Sequence, residues 1–268
     1  MTSFPIIIPF AIIVAAVLLT TNNLSSTYHE PASHVPSHPQ NQTIPSKNQT
    51  PPHQNNHPPT PSQNNNPHPP EKLVTCSSAI KLTHIESGSK YYLLSDDRQL
   101  QSGSGQQLVT AVENNRTPDG LWQIREAHDS PVCDAGTPIR CGDVIRLMHV
   151  GTGRNLHTHG IKSPLSNQHE VTGFGSGQGE GDSGDNWTVV CESGGYFSKG
   201  ERYWVRDQPV RLKSIDTERY LGASSTVRFT EQNCGRGCPI MNHLEVFGRQ
   251  TGDQYTQWKV ELGVHLSK

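Results

Sequence analysis

The sequence predicts an all-β protein folded as a β-trefoil, because it combines an internal repeat with short alternating segments. Three strings of the order aliphatic, basic, leucine begin at Ile80, Ile145 and Val210, so consecutive copies lie 65 residues apart. Each copy continues with a second apolar segment, a third, and a fourth that contains a tryptophan. Segments that alternate in polarity and are separated by Gly, Ser, Asn and Asp are typical of strands joined by turns. No sustained 3.6-residue apolar period indicates helices.

Three copies of four strands are expected to close around a pseudo-threefold axis. One unit of four strands leaves its edges open and cannot bury its own Trp and Leu residues. The first and fourth strands of each copy are therefore predicted to form a barrel that the middle hairpins cap. Alternation along the strands places the following side chains on the core face, with the basic residues between them outward: Ile80, Leu82, Ile145, Leu147, Val210 and Leu212.

The fourth segments carry Trp122, Trp187 and Trp258, one in each copy. Large aromatic side chains bury much apolar surface, and these three are predicted to pack beneath the aliphatic positions as core anchors. An aromatic platform for sugar stacking is the less favoured interpretation, because all three recur at the same repeat position.

The residues before the repeats form two segments of contrasting composition. Phe4–Leu19 is an unbroken apolar run, shorter than the roughly 20 residues of a comfortable membrane-spanning helix. Residues 1–21 are predicted to be a cleaved signal peptide, with an uncleaved signal anchor as the alternative. Residues 22–72, rich in Pro, Asn, Gln and His, are predicted to form a disordered linker. The trefoil is assigned to residues 73–262, with repeats at about 73–130, 137–192 and 203–262.

Charge and cysteine content narrow the class of function. The formal net charge is −2 and the sequence has no basic cluster, which argues against nucleic acid as a partner. Six cysteines lie in the repeat region, and an even number behind a secretory leader favours disulfides. Repeat positions predict the pairs Cys76–Cys133 and Cys141–Cys191, and the remaining Cys234–Cys238 is predicted to be a local disulfide rather than a free-thiol redox pair. No CxxC spacing indicates a zinc site.

Five Asn-x-Ser/Thr sites suit the same secretory compartment. N-glycosylation is predicted at Asn23, Asn41, Asn48 and Asn115. The fifth site, Asn186, precedes the predicted core residue Trp187, so we expect it to be poorly glycosylated.

Dense motif matches connect the repeat region to a known family. It contains SGSGQQLVT (102–110), GTPIRCG (136–142), TGRNLH (152–157), SPLS (163–166), GEGD (179–182) and YWVRD (203–207). In these motifs the chain resembles the stromal cell-derived factor 2 family, whose members consist of three MIR motifs folded as a β-trefoil. The resemblance implies a nonenzymatic protein of the endoplasmic reticulum lumen that works beside Hsp70-type chaperones and J-domain partners in quality control. Family members end in an HDEL-type retention signal, whereas this chain ends His265-Leu266-Ser267-Lys268, so the resemblance does not imply receptor-mediated retention here.

His157 and His159 raise the question of a metal site. Both point to the same side of a predicted strand, yet no Cys or acidic ligand is tied to them by local spacing, so contact or hydrogen bonding is favoured over metal binding. Glu180 and Asp182 lie in the glycine-rich segment GSGQGEGDSGD (175–185). That segment is predicted to be a flexible connection rather than a calcium or catalytic site. No catalytic residue, metal or cofactor is predicted.

Two functional hypotheses follow. The first is a noncatalytic module that assists protein folding and quality control in the secretory pathway through lumenal chaperones or client proteins. The alternative is a lectin-like trefoil that binds glycans or O-mannosylated peptides and is secreted or membrane-tethered. A membrane contact is expected only if the leader remains uncleaved. The predicted contact residues are the polar tips of the second repeat: Arg154, Asn155, His157, His159, Glu170 and Asp182.

Overall fold

The structure is a computed structural model that describes residues 72–265, apart from residues 101–102, 114–115, 193–195 and 199. The leader, the linker before Lys72 and the predicted glycosylation sites Asn23, Asn41, Asn48 and Asn115 lie outside the described residues. Within the described ranges, no helix has the length and apolar character needed to cross a membrane.

Twelve of the described strands belong to the three repeats, four to each, as predicted. The first repeat contains β1 (Ser78–His84), β2 (Tyr91–Gln99), β3 (Gln107–Val112) and β4 (Trp122–Glu126). The second contains β5 (Val144–His149), β6 (Asn155–Lys162), β7 (His169–Phe174) and β8 (Trp187–Cys191). A hairpin of β9 (Tyr196–Ser198) and β10 (Glu201–Tyr203) follows. The third repeat contains β11 (Val210–Ser214), β12 (Tyr220–Arg228), a short helix α1 (Glu231–Cys234), β13 (Leu244–Arg249) and β14 (Trp258–His265).

The first and fourth strands of the copies form a closed barrel. β1 pairs with β4, β4 with β5, β5 with β8, β8 with β11, β11 with β14, and β14 returns to β1. Every pairing is antiparallel, and the circle leaves no open edge of the kind that promotes association between chains.

The middle hairpins form the cap. β2 pairs with β3, β6 with β7 and β12 with β13. The third strands also pair with one another, β3 with β7, β7 with β13 and β13 with β3, so they surround the pseudo-threefold axis. The predicted β-trefoil is confirmed.

Trp122, Trp187 and Trp258 are fully buried in one continuous core. Each indole N–H donates to the carbonyl of the leucine in the second strand of its own repeat: Leu93 at 3.1 Å, Leu156 at 2.8 Å and Leu221 at 3.0 Å. Because no face of these rings reaches solvent, a sugar-stacking platform is excluded and the predicted core role is confirmed.

The end of the barrel opposite the cap is closed by the segments that precede the first strand of each repeat. Trp204, which follows β10, is buried beside Val74 and Ile139 in the same core. Backbone hydrogen bonds join Val74 N–H to the Trp204 carbonyl at 3.0 Å and Trp204 N–H to the Ile139 carbonyl at 2.9 Å. The repeat pattern did not predict this fourth buried tryptophan.

Disulfides join Cys76 to Cys133, Cys141 to Cys191 and Cys234 to Cys238, the pairs expected from the sequence. The first two tie a residue ahead of strand one to the far end of the tryptophan strand of the same copy, since Cys191 ends β8 and Cys133 follows β4. The third lies in the connection between β12 and β13 and belongs to a small hydrophobic cluster at the cap: Leu100, Leu108, Leu165, Phe229, Cys234, Cys238 and Ile240.

The basic residues of the first strands alternate with the core residues, as predicted, but Lys81 and Arg146 are buried rather than exposed. Loops cover this side of the barrel and supply hydrogen-bond acceptors. The Lys81 ammonium donates to the Thr117 carbonyl at 2.9 Å. The Arg146 guanidinium donates to the Gly179 carbonyl at 2.8 Å and to the Glu126 carbonyl at 2.9 Å. Strand alternation gives the face of a side chain, but it does not show which loop covers that face.

Two buried histidines join neighbouring repeats at equivalent positions. His84 of β1 packs against Trp258 and donates through Nε2 to the Tyr255 carbonyl at 3.0 Å. His149 of β5 packs against Trp122 and donates through Nε2 to the Asp119 carbonyl at 2.9 Å. Burial lowers the pKa of both rings, with the accepting carbonyls opposing part of this effect. In the third repeat Ser214 takes the same position, 65 residues after His149.

These histidines predict a loss of stability in mild acid. An unfolded histidine takes up its proton near pH 6.5, whereas the folded rings resist protonation until lower pH. The contribution of these rings to the free energy of unfolding is therefore fully present above about pH 6.5. It falls as the pH decreases, by at most about 1.4 kcal/mol per pH unit for each ring. The substitution His149→Ser, which copies the third repeat, should make the difference between urea-unfolding free energies at pH 7.5 and pH 5.5 smaller. An unchanged difference would contradict this assignment.

Candidate functional site

A buried polar cluster distinguishes the second repeat, and it contains half of the predicted contact residues. Asn155 and His157 lie on one side of β6, and Asp182 and Asp185 lie at the 3-10 turn Ser183–Asp185 that precedes β8. Asn155, His157 and Asp185 are buried, whereas the Asp182 side chain is 52% exposed. We call these four residues the β6 cluster.

Asp185 holds the β6 cluster together. One carboxylate oxygen accepts from His157 Nδ1 at 2.9 Å. The other accepts from Asn155 Nδ2 at 3.0 Å and from the Asp182 backbone N–H at 3.1 Å. Asp182 caps the same turn by accepting from the Gly184 N–H at 2.9 Å, and its carboxylate lies 3.4 Å from His157 Nδ1. A buried carboxylate needs such donors to offset its loss of hydration.

The same positions in the other repeats lack this network. Tyr92, Leu94 and Gly120 take them in the first repeat, and Tyr220, Gly222 and Thr256 in the third. In the third repeat the space beside Gly222 is filled by the Phe247 ring and the Thr256 methyl group. A buried polar network in one repeat of three is an addition to the trefoil framework and not a requirement of it.

Asp185 is not among the contact residues predicted from the sequence, and it lies 28 residues from its histidine partner. The sequence feature that points to Asp185 is the pair Asp182 and Asp185 before Trp187, which forms a capping box. The third repeat has an equivalent box, formed by Asp253 and Thr256 before Trp258. Asp-x-x-Asp or Asp-x-x-Thr directly ahead of a strand marks such a turn.

The glycine-rich segment packs tightly, so its prediction as a flexible connection is wrong. A Cβ at Gly181 would clash with the Asp185 carboxylate, and one at Gly184 would clash with the His157 ring. Gly175 has φ of +109° and its missing side chain makes room for the Glu180 carbonyl. Glycine is needed here for close approach of the chain to the β6 cluster.

His159 and Glu170 form a separate pair on the cap side. His159 Nε2 lies 2.7 Å from Glu170 Oε2, which also accepts from the Ser104 N–H of the first repeat at 3.3 Å. Glu170 is buried, and its second oxygen lacks a hydrogen-bond partner among the described residues. Glu245 takes the same position in the third repeat and accepts from the Leu165 N–H at 2.7 Å. These carboxylates each fix the hairpin turn of the preceding repeat.

In the first repeat an uncharged residue takes the position of these glutamates. Leu108 stands where the other copies have Glu170 and Glu245, and it packs against Phe229, Cys238 and Ile240 in the connection that precedes β13. The side chains of Leu108, Glu170 and Glu245 thus each contact the connection between the second and third strands of the preceding repeat.

The β6 cluster has the composition of a cation site but is accounted for by hydrogen bonds within the fold. His157 Nδ1 and oxygens of Asp182 and Asp185 lie within 4.8 Å of one another. Backbone N–H groups and Asn155 already occupy the carboxylates. A second group of potential ligands, Cys76, Glu126 and Cys133, contains a disulfide and offers no thiolate.

Two clefts lie outside the β6 cluster. One of about 570 Å³ is bounded by the Cys76–Cys133 disulfide, Arg125, Arg140 and Tyr203. A second of about 300 Å³ lies at the turn between β11 and β12 and is lined by Lys213, Thr217, Glu218, Arg219, Tyr220 and Gln250. We call the second one the β11–β12 cleft.

The predicted contact residues therefore separate into two groups. Asn155, His157 and Glu170 are buried and bonded inside the fold. Arg154 and His159 are partly exposed and Asp182 is exposed, so these three side chains are accessible to a partner. The unfavoured glycosylation site Asn186 is also engaged, because its side-chain oxygen accepts from the His128 N–H at 2.7 Å.

Loss of the central carboxylate should destabilise the protein. Asp185→Ala removes the carboxylate that accepts from His157 Nδ1 and from the Asp182 N–H in a buried site, while Asn155 Nδ2 keeps the Gly179 and Glu180 carbonyls. We expect the free energy of unfolding to fall by about 3 kcal/mol. Asp182→Ala removes an exposed cap and should cost about 1 kcal/mol. Urea unfolding of both variants at pH 7.5 measures the difference, and equal losses would show that Asp185 does not hold the cluster.

The sequence and the fold both match known proteins. A family model for the MIR domain matches residues 97–236. The chain is 42% identical over 194 residues to stromal cell-derived factor 2 of Bos taurus, covering 72% of this chain and 82% of that protein. It is 41% identical to stromal cell-derived factor 2 of Homo sapiens with the same coverage.

Solved structures agree with these relatives. The crystal structure of the SDF2-like protein from Arabidopsis thaliana matches with a TM-score of 0.61 and 32% identity, over 72% of this chain and 97% of that one. The identities, the coverage and the threefold arrangement of strands lead to one conclusion. The chain is a MIR-domain β-trefoil protein and belongs to the stromal cell-derived factor 2 family.

Proposed function

We propose that this protein is a noncatalytic binding module that acts with lumenal chaperones, of the Hsp70 type and with J domains, in folding and quality control of secretory proteins. The observation that carries the proposal is the family match, which spans 82% of the bovine relative. The apolar leader and three disulfides support an oxidising compartment, the endoplasmic reticulum lumen or the cell exterior. Attachment to a membrane would follow only from an uncleaved leader.

The chemistry of the β6 cluster supports a binding role and not a catalytic one. A general base needs to reach a substrate proton, whereas Asp185 and His157 bond to each other inside the protein. The cluster instead fixes the glycine-rich segment in place and holds Asp182 at the surface. Rigid polar side chains at a surface bind partners with little loss of conformational entropy.

The accessible contact surface of the second repeat is formed by Arg154, His159 and Asp182. Arg154 directly precedes β6, and Asp182 caps the turn ahead of β8. Their opposite charges suit a polar rim around a protein partner.

A lectin-like function is the second candidate, and the β11–β12 cleft favours it. Tyr220 offers a partly exposed ring with the Lys213 ammonium 5.9 Å from its centre, and Gln250 offers an exposed side-chain amide in the same cleft. An aromatic face with neighbouring polar groups is suited to sugars. Glycans or O-mannosylated peptides are the ligands of this alternative.

Affinity isolation of the tagged full chain from secretory cells separates the two functions. We expect Hsp70-type and J-domain chaperones, identified by mass spectrometry, to remain bound after glycosidase treatment. Arg154→Ala and Asp182→Ala should each lower chaperone recovery several-fold, because each removes a charged rim contact. Lys72→Ala, an exposed position outside the second repeat, is the matched control.

Loss of all bound protein on glycosidase treatment would contradict the chaperone function and favour the lectin function. In that case Tyr220→Ala should abolish recovery while Arg154→Ala leaves it unchanged.

A further inference from the structure

The junction between the second and third repeats brings basic side chains together. His169 of β7 pairs directly with Gly248 of β13, and Lys162 of β6 pairs with His169. The Cβ atoms of His169 and Arg219 lie 3.0 and 3.1 Å from the position that a side chain at Gly248 would take. Because directly paired residues of antiparallel strands share a face, Lys162, His169 and Arg219 form one group, which we call the junction cluster.

The positive charge of the junction cluster is not balanced by the surrounding acids. Within the described residues, neither Lys162 nor Arg219 forms an ion pair with a carboxylate. Glu170 is bonded to His159 at 2.7 Å, and Glu218 lies 3.9 Å from Lys213. The charged groups that act on His169 are Arg219, Lys162 and His159, all of them basic, so the junction cluster retains a local positive field.

Hydrogen-bonding groups in the junction cluster are also unused. Arg219 Nε and His169 Nδ1 are buried, and neither has a hydrogen-bond partner in the described part of the chain. Burial and the nearby Arg219, Lys162 and His159 lower the pKa of His169. A bound anion would oppose the effect of these cations and would offer acceptors to the guanidinium.

The other two junctions of the trefoil provide an internal comparison. Between the first and second repeats the equivalents of His169, Gly248 and Arg219 are Gln107, Gly173 and Arg154. There the Gln107 amide donates to Ser95 at 2.7 Å and to Thr152 at 2.8 Å. Between the third and first repeats the equivalents are Leu244, Ala111 and Tyr91, which are largely apolar. Of the three junctions, the one with His169 combines excess positive charge with unsatisfied donors.

We propose that the junction cluster binds a phosphate or sulfate group. Arg219 supplies the planar guanidinium that matches two oxygens of such an ion, and Lys162 supplies a second positive charge. Of the junction cluster, Arg219 also lines the β11–β12 cleft of about 300 Å³, together with Lys213 and Glu218, so the remainder of a small ester bound to its guanidinium has space there. The site does not depend on the proposed function, because oxyanion recognition requires only the junction cluster.

Calorimetric titration of the full chain at low ionic strength tests the site, with inorganic phosphate, inorganic sulfate and glucose 6-phosphate as probes. We expect saturable binding of one ion per chain. Arg219→Gln should weaken it about tenfold, since a bidentate charge-assisted contact is lost, and Arg219→Lys should weaken it less. Arg140→Gln is the matched control, because Arg140 is already paired with Asp143 and Glu201, and we expect its affinity to stay within about twofold.

Thermal unfolding establishes that each variant is folded. If Arg219→Gln is not, Lys162→Gln at an exposed strand end takes its place. Glucose 6-phosphate binding more tightly than phosphate would identify an ester as the natural source, and equal affinities would identify the free ion. Absence of saturable binding by the native protein, or equal weakening by Arg140→Gln and Arg219→Gln, would overturn the proposal.

Discussion

The hydrogen bond from an indole N–H to a leucine carbonyl, repeated three times, is the interaction on which the rest of the structure depends. Trp122, Trp187 and Trp258 fill the core while each also satisfies a buried carbonyl at the start of a cap hairpin. Barrel and cap are thereby joined within each repeat. The strand pairing of β1 with β14 then joins the last repeat to the first, so no repeat can complete its core without the other two.

Once this framework is fixed, equivalent positions are free to differ in chemistry. The cap position has a leucine in one copy and glutamates in two, yet in each copy it reaches the turn of the preceding repeat. In the second copy the side chains of Asn155, His157 and Asp185 bond to one another, and the residues at these positions in the other copies form no such network among the described residues. Buried polar groups lower stability unless every donor and acceptor is paired, and the Cys141–Cys191 disulfide of the same repeat limits the entropy of its unfolded state.

The fold could be predicted from the repeat because the spacing of the copies and the alternation of polarity along each strand can be read directly from the sequence. The 65-residue interval between Ile80, Ile145 and Val210 identified the copies, and period-two alternation identified their core faces. Contacts between a strand and a distant loop are not encoded in that period. The burial of Arg146 depends on the path of the segment around Gly179, and the role of Asp185 depends on a turn that meets β6 after 28 residues. Trp204 lies 65 residues after Ile139, which lies 65 residues after Val74. It was missed because this position precedes the alternating strands that identified the copies.

The distribution of charge on the surface also depends on contacts that the repeat pattern does not encode. The sequence has no basic run and a net charge of −2, which argues against a broad nucleic-acid surface. Lys162, His169 and Arg219 are nevertheless adjacent, because β6, β7 and β13 meet beside the pseudo-threefold axis. A trefoil places three chemically independent junctions at equivalent sites. Divergence at one junction therefore creates a charged site while the other two continue to stabilise the cap.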